Sequence, residues 1–138
     1  MAYTLFAEKN RVAWVGVRPG VYGDQVTVDG VQNAVGTTIL YTVPAGKTLL
    51  MFDSWSTIGM GVAAGQDIFF GIYNAVPALV YRFSRSVNTG AAQILSHAQS
   101  RFVPIEIAEG FSIRAVVIVS GIILCGFFGI LVDPTVSV

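Results

Sequence analysis

RAVVIVSGIILCGFFGILVDP, residues 114–134, is the stretch whose reading decides the fold. Between Arg114 and Asp133 lie eighteen residues with no charge and a single hydroxyl, Ser120. As one helix they would reach about 27 Å, just short of a hydrocarbon core of about 30 Å, so length alone allows a membrane span. Three features favour two strands instead. Eight of the eighteen are Val or Ile, β-branched side chains that suit a pleated surface. Ser120-Gly121 stands near the middle, a dipeptide common in hairpin turns. Upstream, Phe111, Ile113 and Ala115 alternate with Ser112 and Arg114, which is the two-residue period of a strand. The flanks also lack the Lys/Arg clusters and the Trp or Tyr that mark a span.

The same signals recur upstream. Residues 37–43 run into the turn Pro44-Ala45-Gly46, and 47–58 form a second apolar run. Residues 67–73 (DIFFGIY), 78–83 (ALVYRF), 92–97 and 101–107 follow, then 111–119 and 122–132. Pro104 implies an edge strand or a bulge. About eight short strands at this spacing are expected of an all-β antiparallel sandwich or of a barrel. Only residues 91–99 leave room for a short helix, capped by Asn88 or Thr89. Residues 1–36 differ. From Trp14 to Gly36 five glycines and a proline separate short apolar dipeptides. That segment reads as an extended N-terminal arm or short hairpins, or equally as the first strands of the sandwich. The expected division is therefore an arm over 1–36 and a β-sandwich domain over 37–138.

A chain of 138 residues suggests one domain. Its charged fraction, 12%, is about half the usual ~25%. That deficit fits a membrane protein, or one that buries extra surface against partners. Eight basic residues balance eight acidic ones, so no basic field attracts nucleic acid. Cys125 is the sole cysteine, which excludes an intrachain disulfide and a thiolate metal cluster. The first residues lack a basic segment followed by an apolar one, so no secretory signal is read.

The chain offers little chemistry. His97 is the only histidine, and no G-x-S-x-G nucleophile elbow accompanies it. One histidine and one cysteine do not make a common zinc site. Asp24, Asp29, Asp53, Asp67, Glu106, Glu109 and Asp133 are scattered singly. Glu106 and Glu109 are explained by turn solvation better than as a glycosidase pair flanking a cleft. Residues 59–64, GMGVAA, match G-x-G-x-x-A, but a strand-like segment follows where a nucleotide site needs a helix. The expectation is a chain with no catalytic residue, no cofactor and no metal site. Phe52, Phe69, Phe70, Phe127 and Phe128 read as core. Trp14 and Tyr22, in the glycine-rich part, suit a protein interface or stacking on sugar.

TTILYTVPAGKTLLMFDSWSTIG, a glycine loop, and later RFVPIEIAEGFSIRAVVIVSG together resemble small jelly-roll proteins of tailed bacteriophage particles. There a strand ending in V-P-A-G-K-T-L opens the sandwich, and a P-I-x-I-x-x-G-x-x-I segment precedes the last hairpin. The resemblance covers residues 37–132 and implies a virion structural role. Decoration (cement) proteins, head fibres and receptor-binding tail tips use such domains, usually as trimers. The expected function is a non-enzymatic decoration protein on the outer capsid surface, joining major capsid protein subunits. Tyr3, Phe6, Trp14 and Tyr22 are the candidates for capsid contact. Strands 68–73 and 122–132 are apolar on both faces, so an exposed outer row would favour a homotrimer. Two other readings stay open. One is a tail-tip or head-fibre module binding host carbohydrate through Asn74, Asn88 and Gln93. The other is a tail-anchored membrane protein using residues 115–132.

Overall fold

A computed structural model describes residues 23–88 and 90–133, and in it the run 115–132 is two strands. Eight strands make up the described chain: β1 (Gly23–Gln32), β2 (Gly36–Thr42), β3 (Thr48–Met60), β4 (Asp67–Tyr73), β5 (Leu79–Val87), β6 (Gln93–Ile107), β7 (Ser112–Ile118) and β8 (Ile122–Val132). Among the described residues no helix is long and apolar enough to cross a membrane.

The strands form two four-stranded sheets in the orders β1-β8-β3-β6 and β2-β7-β4-β5. All pairings are antiparallel, and they are nested. β4 pairs with β5, β3 with β6, β2 with β7 and β1 with β8. The chain is thus one long hairpin folded about the Asn74–Ala78 turn and rolled up. The β3–β8 and β4–β7 ladders complete the sheets. This is the strand order of a jelly roll, the double-sheet solution to an all-β chain.

The sequence expectation differs from the structure at three places, and one open alternative is resolved. Ser120-Gly121 does turn the chain, but β7 and β8 lie in different sheets, so the turn arches between layers instead of closing a hairpin. The expected strands 92–97 and 101–107 are one strand, β6. Its ladder with β3 shifts register from Met51–Ile105 to Asp53–Ser100, leaving residues 101–104 outside the pairing. No helix forms over 91–99, because those residues pair with β3. Within residues 1–36, the ten residues of β1 pair one for one with β8. They are the first described strand of the sandwich, with Val26 and Val28 packed against the core.

Between the sheets, Leu49, Met51, Ile68, Phe70, Ile107, Ile113, Ile123 and Phe127 are fully buried. Each comes from an inward-facing alternate position, as in the alternating burial of β3. Hydrogen-bonded connections tie both ends. At one end Gln66, buried to 1%, donates to Ser120 Oγ (2.8 Å) and Ser120 O (3.0 Å) and accepts from Asn88 Nδ2 (2.9 Å). At the other, the two segments that carry the phage resemblance meet. Val43 N–H donates to Phe111 O, Gly110 N–H to Val43 O, and Gly46 N–H to Glu109 Oε1.

Candidate functional site

The edges of the two sheets are β1 and β6 in one and β2 and β5 in the other. Along the β5/β6 flank the apolar interior gives way to polar groups. The inward row of β3 runs Leu49, Met51, Ser54, Ser56, Ile58 and Met60, polar at its middle. Ser56 Oγ lies 2.8 Å from Ser84 Oγ across the sandwich, satisfying two hydroxyls that would be costly to bury unpaired. Ser56, Ile58, Ser84, Ser86, Leu95 and His97 line a groove of about 360 Å³ there. Arg101 closes the flank beyond it. Its Nη2 donates to Ser54 Oγ (3.0 Å) and Gln99 Oε1 (3.1 Å), and its guanidinium lies 5.4 Å from the Phe83 ring centre.

The groove supplies hydroxyls and an imidazole over an apolar floor, a lining suited to hydrogen-bonding a polyol. His97 stands opposite Ser56 in the β3–β6 ladder. Asp67, outward on β4, is bound at both oxygens by Arg85 (3.0 and 2.7 Å). The Arg85 hydrogen bonds hold the Asp67 carboxyl below its ordinary range. Cys125 is buried, and burial pushes its thiol up to about 12, the behaviour of a packing residue and not of a nucleophile.

The remaining sequence candidates take up definite places. Tyr3, Phe6, Trp14 and Tyr22 lie outside the described residues. Asn74 Oδ1 accepts from the N–H groups of Val76 (3.1 Å) and Ala78 (2.8 Å), so that side chain shapes its own turn. Asn88 is occupied with Gly61 O, Gln66 Oε1 and Gly90 N–H. Gln93 reaches Met60 Sδ at 4.0 Å. The two asparagines named for carbohydrate are thus spent on the fold, while the serines around His97, which sequence reasoning passed over, face a groove. Their only signal is placement: small hydroxyls at alternate positions of β3 and β5, visible once those strands face each other.

Neither a known family model nor a curated protein matches this chain. Its surface is the remaining guide. The outer row of β4 was expected to be exposed and is not. Phe69 lies under the Arg82 guanidinium at 4.9 Å, and Tyr73 under that of Arg114 at 5.0 Å, so arginine stems cover the rings within one chain. The outer row of β8 is only partly covered, leaving Ile122 and Leu124 at 36% and 49% exposure. In register, Leu124 sits beside Val31 of β1, and Ile122 beside Gly59, which is beside Ile94 of β6. An apolar band therefore crosses all four strands of that sheet.

Proposed function

We propose that this chain is a non-enzymatic structural protein of a virus particle, a decoration (cement) protein on the outer surface of a tailed-phage capsid. It joins major capsid protein subunits and associates with copies of itself. The observation that carries the reading is apolar surface left over after a complete core has formed. Val31, Ile94, Ile122 and Leu124 form a contiguous exposed band on one sheet, and such patches mark protein–protein contacts. The jelly-roll strand order and the resemblance of residues 37–132 support the particle assignment. A protein that binds the assembled lattice and not loose subunits stabilises the shell by mass action.

Co-sedimentation with emptied capsids tests this. Saturable binding that raises the temperature at which the shells break is expected; no binding at any concentration overturns the decoration role. A chain starting at Gly23 keeps β1 and should lose binding if Tyr3, Phe6, Trp14 and Tyr22 make the contact. Undiminished binding would reassign the contact to the sandwich. The groove around His97 favours one second reading, a receptor-binding module for host carbohydrate. Glycan-array binding by the isolated chain, abolished by Ser84→Trp in the groove, would establish that reading in place of the first.

A further inference from the structure

The two outer faces of the sandwich carry opposite charge. On the β1-β8-β3-β6 sheet, Asp29, Asp53 and Glu106 lie outward in the ladder, alternating with core-facing Val28, Ser54 and Ile107. No described Lys or Arg shares that face, because Arg101 turns inward to Ser54 and Phe83. On the β2-β7-β4-β5 sheet the outward charges are Arg82, Arg85, Arg114 and Asp67. Arg114 and Arg82 flank Gly71 in one row across three strands. Asp67 is bound by Arg85, and neither Arg82 nor Arg114 forms an ion pair among the described residues. One face therefore carries three negative charges, and the other has three positive against one negative.

Both faces also expose apolar side chains, Ile122 and Leu124 on the acidic one and Ile39 and Ile118 on the basic one. The whole chain is neutral, so copies do not repel one another at long range. A two-fold contact through either face would set like charge on like charge, which is unfavourable in a desolvated interface. A contact between unlike faces sets acid on base.

We propose that the outer face of the β2-β7-β4-β5 sheet of one copy docks on the outer face of the β1-β8-β3-β6 sheet of the next, with Arg82 and Arg114 set against Asp53 and Glu106. Copies then associate head to tail. This rests on the self-association in the function proposed above and specifies its geometry. The two outer faces point in opposite directions, so this contact between unlike faces repeats along the sheet normal as an open stack and does not close into a ring.

Sedimentation velocity on the full chain tests the inference. Three variants are needed: Asp53→Lys/Glu106→Lys, Arg82→Glu/Arg114→Glu, and Ile39→Glu. The third adds an acid to the basic face beside Arg114 and keeps both arginines. Circular dichroism confirms that each is folded. Each variant is expected to associate at least about tenfold more weakly than the parent, and the parent more weakly as salt screens the contact. Mixing the first two variants in equal amounts should restore assembly, because acid again meets base at both surfaces. A parent that associates while all folded variants match it overturns the docking geometry and leaves self-association standing. A parent that stays monomeric at every salt and protein concentration overturns both.

Discussion

Val119 is the one non-glycine residue with positive φ, 76°, among those described. A β-branched side chain in that region costs about 1–3 kcal/mol and persists only where the surroundings enforce it. They do so here. Gln66 holds Ser120 on one side. On the other, Gly121 has φ 121°, and a Cβ there would fall 2.4 Å from Ile68 Cδ1. Val119→Asn, which tolerates this conformation at a half-exposed position, should raise stability by about 1 kcal/mol in denaturant titration; a loss would mean the side chain is needed in the turn. Asp67 gives a residue-scale dependence on pH. Its folded value is lowered below the ordinary 3.8, first by the Arg85 hydrogen bond. Its contribution is therefore complete above the ordinary range and lost as pH falls through the lowered value. Thermal melts of the parent and Asp67→Asn should differ at neutral pH and converge in acid. The turn at Ser120-Gly121 was legible from residue type. The strain one position earlier was not, because nothing about a valine signals a left-handed backbone.

At the scale of elements, the central strand β8 depends on having no side chain at Gly126. Asp29, Gly126 and Trp55 share one row across β1, β8 and β3, and Trp55 Nε1 reaches over the glycine to Asp29 Oδ1 at 3.1 Å. A Cβ on Gly126 would lie 2.5 Å from that oxygen and 2.6 Å from the indole ring. Gly126→Ala should cost about 3 kcal/mol and shift Trp55 fluorescence on loss of the hydrogen bond; an unchanged spectrum and melt would show that the row relaxes freely. Six of the strands could be read from alternation and turn residues to within a few positions. β1 could not be fixed, because its glycines interrupt the apolar period. Gly30 is there for close packing: its missing Cβ would stand 3.0 Å from Leu40 Cγ. The expected strands 92–97 and 101–107 join in β6, and the irregularity implied by Pro104 falls where the β3–β6 register shifts over residues 101–104. There the Arg101 guanidinium folds inward across the flank. The groove around His97 was equally hidden, since it depends on which strands face each other and not on spacing within any one of them.

For the whole molecule, pairing of the first described strand with the last fixes what can be removed. A chain beginning at Gly23 retains all eight strands and should melt cooperatively near the parent temperature. One beginning at residue 37 lacks β1, uncovers one edge of β8 and strips Val26 and Val28 from the core. It should lose its cooperative transition in calorimetry; a sharp melt near the parent temperature would make β1 dispensable. The nested order also bears on synthesis. Every pair except β4–β5 joins segments separated by other strands, and β8 lies between β1 and β3. Contacts so distant along the chain make folding slow. As the polypeptide leaves the ribosome, β1 and β3 have no neighbour between them until residues 122–132 have been made. Until then the oily inner rows stand open, and the nascent protein is at its most prone to clumping just before its final strand arrives.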